Sequence, residues 1–353
     1  MLKNVSRSES TEENIINLLK RILDRNRFAK RIVIEASEPY LFKISDSIGS
    51  LKDELGDSGR DIEIIINGTP RYGSCDIDIQ YYQYLKPDLV IHIGHTPFPH
   101  SFKKLRIQKT KFYFIPVFDD VNISDELASQ VFKYVEDLKA DHINIVYSIQ
   151  YKKAAESLLK LLLHRGYNVK MPRLPGMIQG QILGCLNHQL QISNPDKTIF
   201  IVVSSGIFHA LGVSLYTGIP TILIDPFNNK ITDMSKLSNK YRSLIAWNIY
   251  RASNYQRFAV IVVKDSHQPF IGGLPHILRI LKKHNLKYSI YHSERIDENL
   301  INLIPKNEIP VIAGCPRIAI DDLTRFNRPV LNFEQLLILL GLKDFNEVYP
   351  PLK

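Results

Sequence analysis

The chain has 353 residues, 44% hydrophobic and 23% charged, enough to build two or three cores without disulfide staples. A net charge of +9 suits an anionic cofactor or an acidic protein partner. The basic residues are scattered and no recognition module is legible, so direct nucleic-acid binding is not expected. No apolar run approaches the ~20 residues that cross a bilayer. The first residues lack a signal-peptide core, and three cysteines do not make a disulfide scaffold, so a cytoplasmic protein without a membrane partner is expected.

In chain order, a helix is predicted from Ser10, where Ser10-Thr11-Glu12-Glu13 fits a capping box. A series of four apolar strands then recurs three times. First strands fall at 31–35, 142–147 and 258–263, and each precedes a helical stretch, at 40–55, 152–165 and 274–284. Second strands fall at 62–66, 168–171 and 287–291, third strands at 89–94, 199–204 and 309–314, and fourth strands at 112–117, 221–225 and 330–333. The spacing is about 110 residues, so the repeat is domain-sized. Strands apolar at nearly every position are buried on both faces, as in parallel sheets covered by helices.

The expected fold is therefore α/β: three similar small domains with mainly parallel sheets around a pseudo-threefold centre. They span 1–123, 124–250 and 251–353, with one cysteine each, Cys75, Cys185 and Cys315. A helix containing Trp247 joins the last two, and Trp247 is expected in a core or interface.

Cys75 and Cys185 both lie between the second and third strands of their repeats, and Cys315 lies just past a third strand. All three sit in glycine-marked loops: Tyr72-Gly73-Ser74-Cys75-Asp76, Leu183-Gly184-Cys185-Leu186 and Ala313-Gly314-Cys315-Pro316-Arg317. Loops beyond the carboxyl ends of parallel strands bind ligands, and thiolates are the natural ligands of iron–sulfur clusters. The residues alone leave two readings open, inert buried thiols or one shared cluster; zinc-type spacing is absent.

The surrounding motifs resemble a known family. They are Tyr72-Gly73-Ser74-Cys75-Asp76-Ile77, Asp88-Leu89-Val90-Ile91-His92-Ile93-Gly94-His95 and Gly180-Gln181-Ile182-Leu183-Gly184-Cys185. With them stand Ser205-Gly206-Ile207-Phe208-His209-Ala210-Leu211-Gly212, Leu223-Ile224-Asp225-Pro226-Phe227 and Gly314-Cys315-Pro316-Arg317-Ile318-Ala319-Ile320-Asp321-Asp322. In this order they resemble the archaeal diphthamide biosynthesis enzymes, the 2-(3-amino-3-carboxypropyl)histidine synthases of the Dph2 family, from about Ile32 to Leu342.

The resemblance implies that Cys75, Cys185 and Cys315 ligate a 4Fe–4S cluster whose fourth iron engages S-adenosylmethionine (SAM). It implies a noncanonical radical SAM transferase that moves a 3-amino-3-carboxypropyl group to C2 of a histidine of translation elongation factor 2, the first step of diphthamide biosynthesis. It also implies a homodimer and an electron donor. Two positions depart from the family: Ser74 stands where alanine is usual, and Lys264-Asp265-Ser266-His267-Gln268 replaces a Gly-Gln pair.

Gln181, Ser205, Gly206, His209, Arg317 and Asp321 are the candidate cofactor-binding residues. Arg317 offers a fork for a carboxylate, or else a structural ion pair. Asp76 and Asp321 either tune the site or close turns; Asp78 and Asp322 are expected to cap. His92 and His95, at i and i+3 on a strand, are expected on opposite faces, with His95 facing the site. The competing readings are a quinolinate-synthase-like 4Fe–4S dehydratase, whose three-domain repeat the motifs fit less well, and a non-catalytic redox or interaction protein with inert thiols.

Overall fold

The computed structural model describes residues 11–57, 61–99, 109–187, 190, 192, 194–263 and 273–353. They form an α/β fold in two compact units, Met1–Asp120 and Val121–Lys353. Ser10 and the 264–268 departure lie outside the described residues.

The first unit opens with α1 (Thr11–Arg25) and contains β1 (Arg31–Ala36), α2 (Glu38–Asp57), β2 (Glu63–Ile66), α3 (Ile79–Leu85), β3 (Leu89–Ile93) and β4 (Lys111–Ile115). The four strands pair in parallel in the order β2-β1-β3-β4. Side chains alternate across a strand, so Ile32, Ile34, Leu89 and Ile91 meet Leu19, Leu23 and Ile44 on one face. Val33 and Val90 meet Ile77, Ile79 and Tyr82 on the other. Both faces are covered, which is why these strands read as unbroken apolar runs.

In the second unit, α4 (Asp125–Asp137) precedes β5 (His142–Tyr147), α5 (Lys152–His164), β6 (Val169–Lys170), β7 (Thr198–Val203), α6 (Phe208–Thr217), β8 (Thr221–Asp225) and β9 (Lys230–Asp233). The order is β6-β5-β7-β8-β9, with β9 antiparallel at the edge. Then come α7 (Ser235–Ala252), β10 (Arg257–Val263), α8 (Gly273–Lys283), β11 (Lys287–Ser293), α9 (Glu298–Leu303), β12 (Ile309–Ala313), α10 (Ile318–Asp321), α11 (Phe333–Leu339) and α12 (Phe345–Val348). A parallel sheet, β11-β10-β12, forms here.

One continuous core runs from Phe200 and Val202 through Leu211 and Ile245 to Val260 and Val311. The helix α7 crosses position 250 without a break, and the last two predicted domains share this core in a single unit.

Two expectations need correction, and one strand was missed. The strand predicted at 330–333 is a single bridge, Val311 to Leu331, because Asn332 caps α11 with a full capping box and turns the chain into helix. The antiparallel β9 was not anticipated. Trp247 lies outside the core, 57% exposed and stacked on Tyr250, because α7 buries Ile245, Asn248, Ile249 and Ala252 on a different face.

Candidate functional site

All three cysteine loops leave from the carboxyl ends of parallel strands. In the first unit the Arg71 N–H donates to the Ala36 carbonyl at the end of β1, 3.0 Å. Asp76 closes the loop that follows: its carboxylate accepts from the Tyr72 N–H at 3.1 Å, and its own N–H donates to the Gly73 carbonyl at 3.0 Å. Asp76 therefore shapes the turn that presents Cys75. Asp78 caps α3 by accepting from the Tyr81 N–H, as expected.

Behind this loop lies a buried charge network. Glu35 is fully buried at the end of β1 and accepts from Arg71 Nε at 3.1 Å, from the Tyr82 hydroxyl, and from His92 Nδ1 at 2.8 Å. Burial alone would raise the Glu35 carboxyl, but His92, Arg71 and Tyr82 outweigh it and hold the group below the usual carboxylate range. Arg71 also feels Asp76 and Asp78, so it ties Glu35 to the Cys75 loop.

His92 Nε2 lies 2.9 Å from His95 Nδ1. The two imidazoles thus meet, contrary to the expectation of opposite faces. The strand β3 ends at Ile93, and Gly94 adopts φ +106°, a region that favours glycine. The backbone bends there, and His95 meets His92. A side chain at Gly94 would also collide with Ser37 and Tyr40.

In the second unit, the 180–185 segment is pinned to the end of β5. Tyr147 N–H donates to the Gly180 carbonyl at 2.9 Å, and Ile182 N–H donates to the Tyr147 carbonyl at 3.0 Å. Gln181 is buried here, and its side-chain oxygen accepts from the Ile178 N–H at 3.4 Å. Cys315 follows β12 with only Gly314 between.

Arg317 joins the two cysteine loops. It is 1% exposed. Its Nη1 donates to the carbonyls of Gly184, 2.8 Å, and Phe208, 2.7 Å, while Nε and Nη2 grip Asp321 at 3.0 and 2.7 Å. Its guanidinium stacks on the Phe208 ring, 4.1 Å from the centroid. Four of the five donors of the fork are thereby engaged within the chain, and Asp321 serves as their acceptor. Asp322 pairs with Arg325.

Glycines make this approach possible. A Cβ on Gly212 would strike the Gly184 carbonyl and Arg317, and one on Gly184 would strike the Phe208 ring.

Ser205 and Gly206 are exposed on the turn before α6, and Gly206 has φ +69°. The N-cap residue, Ile207, supplies no side-chain cap. His209 Nδ1 is buried without a hydrogen bond, and burial followed by the Arg317 charge pushes its imidazole down to about 4, so it is neutral at pH 7.

Burial raises the Cys185 thiol to about 12, with Cys315 adding to the shift and Arg317 opposing it. Burial also raises Cys315, against the N–H groups of Arg317 and Ile318 and the Arg317 charge. The two thiols are thus close enough to repel as thiolates, beside one cation. Among the described residues, no group of three or more His, Cys, Asp or Glu side chains is arranged around a single metal-ion site.

The donor set suits a thiolate-ligated group. Cys185 and Cys315 are soft donors with a compensating guanidinium, whose charge also acts on the His209 imidazole.

Glu35 was missed in the sequence. Its signal was there: one acid closing an otherwise apolar strand, Arg31-Ile32-Val33-Ile34-Glu35-Ala36.

These features define a parallel α/β protein with cysteine loops at its strand ends. The chain belongs to the diphthamide synthesis family: the family described as "Putative diphthamide synthesis protein" matches residues 38–350. It is 28% identical to the 2-(3-amino-3-carboxypropyl)histidine synthase of Pyrococcus horikoshii, over 99% of this chain and 94% of that one. It is 22% identical to the synthase of Methanocaldococcus jannaschii, over 92% and 88% of the two chains. The fold matches the crystal structure of Dph2 from P. horikoshii with a 4Fe–4S cluster, with TM-score 0.78 and 24% identity over 98% of this chain and 96% of that one.

Proposed function

We propose that this protein transfers the 3-amino-3-carboxypropyl group of SAM to C2 of a histidine of elongation factor 2, using a 4Fe–4S cluster held by Cys75, Cys185 and Cys315. Membership of the diphthamide synthesis family carries the reaction class. The observation that carries the site is Arg317, which binds the Cys185 loop to the Cys315 loop. Further support comes from the P. horikoshii relative, whose structure contains such a cluster.

A bound cluster supplies the electron that opens the sulfonium C–S bond and an iron site for SAM. This chain's residues hold and shape the surroundings. Arg317 fixes two cysteine loops and offsets thiolate charge. Gly184 and Gly212 allow close backbone approach. His209, neutral and orphaned at Nδ1, is a hydrogen-bonding group for SAM, beside the open turn at Ser205 and Gly206. Gln181 and Asp321 keep the loop and the guanidinium in place. The working form is a homodimer in the cytoplasm, fed by an electron donor.

The test is transfer of label from carboxypropyl-labelled SAM to elongation factor 2, with anaerobically reconstituted protein and dithionite. Labelled factor supports the reading. An intact cluster with unlabelled factor contradicts it.

A further inference from the structure

We propose that Asn332 is a positioning residue for Cys315: its side-chain amide fixes the peptide that follows the cysteine, and through that peptide it tunes the reduction potential of the cluster and the strength with which the cluster is held. This inference rests on the cluster site of the proposed function.

A capping box needs only two side-chain acceptors, one at the N-cap and one three residues on, and serine with glutamate supplies both. The box of α11 is built from Asn332 and Gln335 instead. Asn332 Oδ1 accepts from the Gln335 N–H at 2.9 Å, and Gln335 Oε1 accepts from the Asn332 N–H at 3.2 Å. Because both side chains are amides, each has an NH2 group left to donate. Asn332 Nδ2 donates to the Pro316 carbonyl at 3.0 Å, and Gln335 Nε2 donates to the Ala319 carbonyl at 3.2 Å. Both side chains are buried. The start of α11 is therefore also a clamp on the backbone just after Cys315.

The Pro316 carbonyl and the Arg317 N–H are two ends of one peptide plane. Among the described residues every peptide bond is trans, so these two groups point in opposite directions. Holding the carbonyl thus aims the N–H. That N–H, together with the N–H of Ile318, favours the Cys315 thiolate. Hydrogen bonds to ligand sulfurs are one of the levers on an iron–sulfur potential, and they favour the more negative, reduced cluster.

Asn332 is itself placed by β12. The Ile312 N–H donates to the Leu331 carbonyl at 2.8 Å, and the Leu331 N–H donates to the Pro310 carbonyl at 2.9 Å. The strand that leads to Cys315 thereby also fixes the residue that clamps its loop.

The test uses the anaerobically reconstituted full chain with Asn332→Ser and Asn332→Ala. Serine keeps the cap and lacks the amide donor, whereas alanine lacks both. The readings are the reduction midpoint of the cluster, the chelator concentration that strips half of it, and hydrogen exchange of the Gln335 amide. Both variants should move the midpoint to more negative potential and lose half the cluster at about tenfold less chelator. The Gln335 amide should stay protected in the serine variant and open in the alanine variant. A serine variant with the wild-type midpoint and wild-type chelator resistance would make Asn332 a helix cap only, and overturns this inference alone. A wild-type chain that takes up no cluster overturns the cluster site and this inference with it.

Discussion

Arg317 Nη1 donates to the Gly184 carbonyl at 2.8 Å, across 133 residues of sequence. This bond fastens the loop of Cys315 to the loop of Cys185. Replacing Arg317 by Met strands the buried Gly184 carbonyl, removes a donor from the part-buried Phe208 carbonyl, and takes away the cation that offsets the thiols. The expected cost is about 2–4 kcal/mol. Arg317→Lys recovers little of it, because one ammonium cannot reproduce the fork. Chemical denaturation and cluster content after reconstitution check both.

Gly212→Ala pushes a methyl group into the Gly184 carbonyl and Arg317, which are backbone and a buried, fully engaged side chain. We expect a loss of about 1–3 kcal/mol together with poorer cluster retention. Gly49→Ala, in α2 with open space around it, is the control. It should stabilise by roughly 0.5–1 kcal/mol, since glycine inside a helix is unfavourable. Unfolding midpoints of the two variants should move in opposite directions.

Glu35 makes the first unit sensitive to acid. Its carboxyl is held below its unfolded value, so its contribution is complete above the ordinary carboxylate range and is lost as pH falls through the lower folded value. Glu35→Gln should cost about 3–5 kcal/mol at pH 7, because it leaves Arg71 and His92 without their acceptor charge. It should also flatten the fall in stability below about pH 4.3. Hydrogen exchange of the β1 amides against pH reads both effects.

Much of the fold was legible. The runs Leu-Val-Ile-His-Ile and Thr-Ile-Phe-Ile-Val-Val are buried along their whole length, and only a sheet covered on both faces asks for that. Local signals erred where one residue redirected the chain. Gly94 bent the chain at the strand end and joined two histidines that the strand period would separate. Asn332, inside the run Val330-Leu331-Asn332-Phe333, turned an expected strand into a helix start.

The cysteine loops were recognisable from their glycines. The Arg317 bolt was not, because its partners are backbone carbonyls, which carry no residue identity in sequence. Glu35 was visible as a buried acid, but its four-way network depends on Arg71, Tyr82 and His92 arriving from three other segments.

The most direct test is iron and sulfide content, with the EPR spectrum, after anaerobic reconstitution of the wild type and of Cys75→Ala, Cys185→Ala and Cys315→Ala. The account predicts about four iron and four sulfide per wild-type chain, and loss of the cluster in each variant. A full cluster in Cys75→Ala would contradict it.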